Sequence, residues 1–313
     1  MHTQQALPTG SACAFHTEIL RMHLHHVTIH VTNLSQTVDM LCDFGFVCVE
    51  HTVASAWMQA PNAYIHVIAD VHITPHDHPF TDGGISHICV QTPDMRHALH
   101  VLQRHGARPL SAPINLGTGH WYLYARLPDG DIIEIEGVPY APANTTPWLA
   151  HVALVSTDVT RLTDFYRQLT LGTVRGGHTV GPNPRFDTGL QLQHAQMIPC
   201  WVVGGNLTIE CWQFVNPPSQ ARRTTPYAYR ALGFVCADPH TLSQQAISYG
   251  ATLVHTSNEV VHLHDPDGNS ITLTHVHAIA PYLASFTDPH IIARINTLWQ
   301  PLDPQHTWEV THG

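Results

Sequence analysis

The stretch LHHVTIHVTNLSQTVDML, residues 24–41, changes hydrophobic period halfway along. Val27, Ile29 and Val31 alternate with His26, Thr28 and His30, the signature of a strand with one buried face. Leu34, Val38 and Leu41 then follow at helical spacing. The same strand-then-helix unit returns further along the chain. Opening strands are expected at 24–32, 85–92, 149–157 and 231–237, and helices at 34–44, 95–105, 160–169 and 240–249. Gly45, Gly106, Gly172 and Gly250 stand just past the helices, where a chain stop favours glycine. Short runs rich in Val, Ile, Thr and Tyr follow each turn and read as strands. The unit is βαβββ, used four times, which predicts an α+β fold.

Polar, Pro-containing segments at 74–84 and 139–147 separate units, and the second marks a domain boundary. The expected organisation is a flexible leader over 1–21 and a module pair over 22–138 that carries the site. A second, degenerate pair over 148–277 follows, and a tail over 278–313 holds a helix at 288–299.

The composition excludes several functions. Lys plus Arg total 13 against 23 for Asp plus Glu, a formal net charge of −10. Such a chain lacks the clustered cations that grip phosphate backbones or anionic membrane surfaces, so neither nucleic acid nor membrane is an expected partner. No apolar run is long enough to span a bilayer, and residues 1–21 lack the pattern of a secretory signal. Seven cysteines without a CxxC pair read as free thiols in a reducing compartment, and a cytoplasmic location is expected.

Histidine is unusually frequent, at 28 of 313 residues, so type alone says little and position must decide. The opening strands carry His26, His87, His151 and Ala231 near their starts; the last strands carry His66, Glu134, Glu210 and Thr272. Metal ligands converge from equivalent places in neighbouring repeats, and three histidines at one repeat position fit that pattern. Glu134 and Glu210 lie inside β-branched runs, where an unpaired carboxylate is costly to bury and a cation removes the cost.

The opening stretch, together with RLPDGDIIEI at 126–135 and HDPDGNSITL at 264–273, resembles the vicinal oxygen chelate superfamily over roughly residues 22–277. That superfamily includes glyoxalase I, extradiol dioxygenases and bleomycin-binding proteins, so the resemblance identifies a fold better than a reaction. It implies that pairs of modules curl into half-barrel cups with a metal at the floor. If modules one and two share a cup, the ligands are His26, His87 and Glu134, a facial triad suited to Fe(II), with Mn(II), Ni(II) or Zn(II) as alternatives. The resemblance then implies an extradiol-type dioxygenase that takes dioxygen and a catechol-like or other vicinal-oxygen small molecule. His72 would serve as acid–base and Tyr124, ten residues before Glu134, as a hydrogen-bond donor. Leu127 and the loosely placed His120 depart from the extradiol pattern, and His66 is a further candidate ligand.

Two other readings stay open. If modules two and three share a cup, His87, Glu134, His151 and Glu210 meet as a four-ligand site for a glyoxalase-type isomerase or lyase, and His26 is idle. Alternatively Trp57, Tyr64, Trp121, Tyr122, Trp201 and Trp212 line an apolar cup for a planar ligand, without metal or catalysis. The sequence leaves room for a homo-oligomer.

Overall fold

A computed structural model describes residues 22–75, 77–222 and 229–298. Module one comprises β1 (His23–Val31), α1 (Leu34–Asp43), β2 (Val47–His51), β3 (Ser55–Gln59) and β4 (Tyr64–Ala69). Module two comprises β5 (Gly84–Thr92), α2 (Met95–Arg104), β6 (Arg108–Pro109), β7 (Ile114–Asn115), β8 (Trp121–Arg126) and β9 (Ile132–Gly137). Module three runs through β10 (Trp148–Val155), α3 (Val159–Thr170), β11 (Thr173–Gly176), α4 (Pro184–Leu190), β12 (Gln196–Val203) and β13 (Thr208–Asn216). Module four contains β14 (Tyr229–Cys236), α5 (Pro239–Ser248), β15 (Thr252–Thr256), β16 (Val260–His264) and β17 (Ser270–His275). A short tail ends in α6 (Ile291–Leu298), inside the helix expected over 288–299; the expected leader and Cys13 lie outside the described residues.

Each module begins its helix on a side-chain cap at the same repeat position. Asn33, Asp94, Asp158 and Asp238 each accept a hydrogen bond from a backbone N–H in the first turn, satisfying donors the helix leaves open. Gly45, Gly106 and Gly250 follow three of the helices with φ of +95°, +80° and +106°. The third helix ends differently: Leu171 takes the left-handed turn at φ +55°. Gly172 serves another need there, since a Cβ on it would lie 2.8 Å from Val202 Cγ1.

Two mixed sheets result, with helices packed on their outer faces. One runs β15-β16-β17-β14-β1-β4-β3-β2 and the other β11-β12-β13-β10-β5-β9-β8-β6, with β7 beside β8. Each sheet joins two modules through antiparallel opening strands: β1 pairs with β14, and β5 with β10. The expected pairing of modules one with two and three with four is therefore overturned; module one shares a sheet with four, and module two with three. Side-chain fit explains part of this choice. His26 lies opposite Gly233, where an added Cβ would stand 1.9 Å from the imidazole, so the ring fits over β14 only because residue 233 is glycine.

The two half-barrels are clasped at equivalent turns. Asn62 donates to the carbonyls of Leu149 and Asn206, and Asn206 donates to those of Leu24 and Asn62, all buried. Leaving such buried amide groups unmet would cost about 1–3 kcal/mol each. The tail then crosses both halves. Phe286 packs on Tyr64 and His25, Leu283 accepts a hydrogen bond from His25, and Ile291 and Ile295 bury against Trp148 and Val138. Full burial of each isoleucine contributes about 1.5–3 kcal/mol.

Candidate metal centre

The concave face of the second sheet gathers four of the residues that the repeat singled out. Strand alternation turns His87 on β5, Glu134 on β9, His151 on β10 and Glu210 on β13 to one side, and sheet curvature brings them together. One donor atom from each lies within 4.8 Å of the others, and all four residues are buried. His151 Nε2 stands 2.9 Å from Glu134 Oε2 and 3.0 Å from Glu210 Oε2; His87 Nε2 stands 3.2 Å and 3.9 Å from the same two atoms. The other nitrogen of His87 meets Ser86 Oγ at 3.1 Å, which orients the ring towards the cluster.

Two carboxylates and two imidazoles buried together make an electrostatic problem. Burial raises the Glu134 carboxyl, but hydrogen bonds from His151 and His87 and their charges outweigh it and hold the group well below the usual carboxylate range. Burial lowers His151, yet the charge of Glu210 and the contacts with Cys89 and Glu134 push it well above an ordinary imidazole. One imidazole N–H cannot serve two carboxylates. Glu210 Oε2 is buried without a hydrogen-bond donor aimed at it, although it lies within ion-pair range of His151. A divalent cation among the four donors would satisfy that orphaned oxygen, and two oxygens with two nitrogens suit a borderline first-row ion.

Three members of the cluster, Glu134, His151 and Glu210, line a cavity of about 710 Å³. Tyr122, Trp201 and Trp212 line it, and Arg175 and His120 stand on its walls. Tyr124 lies opposite Glu134 on the neighbouring strand and lines the same cavity, and burial, with the nearby Glu134 and Glu210 charges, holds its hydroxyl well above the ordinary phenol range.

The other sequence candidates lie elsewhere. His26 does not meet His87: it faces the cup of the first sheet, beside His66 at 6.1 Å between ring centroids and Trp57 at 4.9 Å, so the triad His26, His87 and Glu134 does not assemble. His72 sits exposed in the turn after β4 and is absent from the cavity walls. His78 is buried, and His76 lies outside the described residues. Tyr64 is core, and Trp57 stacks on His66 at 4.0 Å. Sequence reasoning passed over Cys89, Gln91 and Glu136 as site residues. Their signal was simple, since each lies two or four residues from a ligand and so shares its strand face.

Residues 25–124 match the model of the Glyoxalase/Bleomycin resistance protein/Dioxygenase superfamily. This is a vicinal oxygen chelate fold. Among solved structures, glyoxalase I from Zea mays is similar at 14% identity and a TM-score of 0.61, covering 81% of this chain and 92% of its own. A protein of Bacillus subtilis subsp. subtilis str. 168, described as a "putative dioxygenase", is similar at 13% identity and a TM-score of 0.58, covering 92% of this chain and 99% of its own. No curated protein matches the chain. At such identities the likeness speaks for the vicinal oxygen chelate fold, and the chemistry has to be argued from the cup. Among the described residues, no helix is long and apolar enough to cross a membrane.

Proposed function

We propose that the chain is a glyoxalase-type, metal-dependent isomerase or lyase whose small-molecule substrate presents two vicinal oxygens. The observation that carries this is the four-donor set His87, Glu134, His151 and Glu210. Four protein donors leave two positions of an octahedron, enough for a bidentate substrate. A dioxygenase needs a third for dioxygen, as the two-His, one-carboxylate triad provides. When bound, a divalent ion such as Ni(II), Mn(II), Zn(II) or Fe(II) supplies Lewis-acid polarisation of the substrate oxygens.

The chain's own groups do the rest. Glu210, whose Oε2 has no hydrogen-bond donor, is the group placed to take a proton from the carbon beside the polarised oxygen and return it to the neighbouring carbon. Tyr124, opposite Glu134 on the neighbouring strand, lines the cavity and offers a hydroxyl to the bound substrate. Trp201, Trp212 and Phe186 exclude water from the apolar part of the substrate.

The extradiol reading retains one supporting feature, the place of Tyr124 opposite Glu134, and a single experiment separates the two. The metal-loaded protein is offered 2-oxoaldehyde–thiol adducts and a catechol panel, with an oxygen electrode and proton NMR in deuterated solvent. Redox-neutral isomerisation without oxygen uptake is expected; stoichiometric oxygen consumption with a catechol overturns the isomerase reading.

A further inference from the structure

Behind the four-donor set lies a second one. Cys89 follows His87 by two residues and Glu136 follows Glu134 by two, so alternation puts both on the ligand face. Register sets Cys89 opposite His151 across β5 and β10, and opposite Glu134 across β5 and β9. One donor atom from each of Cys89, Glu134, Glu136 and His151 lies within 4.8 Å of the other three, and all four residues are buried. No other cysteine among the described residues joins such a group. The position is reachable, because Glu134, Glu136 and His151 line the open cavity. Gln91 donates a hydrogen bond to Glu136 Oε2, leaving the second carboxylate oxygen for a ligand bond.

Sulfur decides which ion fits. A thiolate with imidazole and carboxylate donors suits Zn²⁺ and its softer analogue Cd²⁺, whereas Mg²⁺ and Mn²⁺ favour oxygen. The geometry points to a second cation position in the cup, made by Cys89 Sγ, Glu134, Glu136 and His151, that takes a thiophilic divalent ion. The inference shares Glu134 and His151 with the proposed catalytic set, and so rests on that reading of the cup. Binding breaks the Cys89 S–H bond and forms an S–metal bond; the proton leaves to solvent and nothing is oxidised or reduced.

Cadmium titration of the full chain tests this, followed by thiolate-to-cadmium absorbance in the ultraviolet and by proton release. Ni²⁺ binding reads the catalytic set separately. The wild type is expected to develop the band with one Cd²⁺ per chain. Cys89→Ser should lose that band and still bind one Ni²⁺, and His87→Ala should keep the band while losing Ni²⁺. Identical cadmium spectra for wild type and Cys89→Ser overturn the proposal, and so does loss of the band in His87→Ala. Should Cys89→Ser fail to fold, Glu136→Gln serves instead: cadmium affinity falls on the order of tenfold or more, and unchanged affinity overturns the proposal. A wild type that shows the band but binds no Ni²⁺ counts against the catalytic reading alone.

Discussion

Position for position, the two cups can be overlaid through their strand registers. Thr28 pairs with Ala231 and His66 in the first, as Cys89 pairs with His151 and Glu134 in the second. Gly233 pairs with His26 and Thr272, as Ala153 pairs with His87 and Glu210. Trp57 stands beside His66 as Tyr124 stands beside Glu134. The backbone is common and the charge is not. The second cup places two carboxylates beside two imidazoles, enough negative charge to hold a divalent ion. The first offers His26, His66, an alanine and a threonine. Burial keeps His26 well below an ordinary imidazole and, with the nearby charge of His30, pushes His66 down to about 4. Without a carboxylate at the positions of Glu134 and Glu210, the first cup lacks the anionic donors of the second, and His26 and His66 pack against Trp57 instead. The two frames share a register; the carboxylates make one of them the candidate metal centre.

The largest expected difference between the cups is in metal content. After loading with Ni²⁺ and dialysis, His87→Ala and His151→Ala should retain no stoichiometric nickel by mass spectrometry, while His26→Ala retains a full complement. Equal loss in His26→Ala would break the comparison.

The next effect belongs to the first half-barrel alone. Burial pushes Asp265, in the turn before β17, up to about 6. An unfolded carboxyl titrates near 3.9, so the folded state holds this proton more tightly. The stability it contributes is complete below the unfolded value and is lost as pH rises through about 6, roughly 3 kcal/mol in all. Asp265→Asn, which cannot ionise, should flatten the stability profile between about pH 4 and 6 by that amount in urea titrations. An unchanged slope would refute the assignment.

Gly233→Ala forces a Cβ into the His26 ring and should destabilise the chain by about 1–3 kcal/mol without changing metal content. A neutral result would show that the ring has room to move. The smallest effect separates the Tyr124 and Trp57 positions. Tyr124→Phe should slow turnover about tenfold with metal retained, and Trp57→Phe should leave turnover as it was. Equal rates for Tyr124→Phe and wild type would remove the hydroxyl from the mechanism.

Much of the site was legible because its rules are local. His87, His151, Glu134 and Glu210 each hold a set place in a βαβββ repeat, and each has the ligand chemistry there. His26 met the same test and failed it in space. Repeat position says which face of a strand a side chain takes, and nothing about which sheet the strand joins. The nearness of His72 to His87 along the chain does not carry into space, because the turn after β4 takes it to solvent. Cys89 and Glu136 were legible by alternation alone, but a buried thiol and one more acid in a strand draw attention only once His151 is seen beside them.

By itself, then, the sequence determined the modules, their strands and helices, the capped helix starts and a pool of ligands on one strand face. These follow from side-chain period and turn chemistry, which act over a few residues. Only the tertiary structure decided that module one joins four and module two joins three, and with that which histidines share a cup. That choice depends on contacts between strands some 60 to 200 residues apart, such as His26 over Gly233 and Asn62 against Asn206. Their complementarity exists only between surfaces already brought face to face.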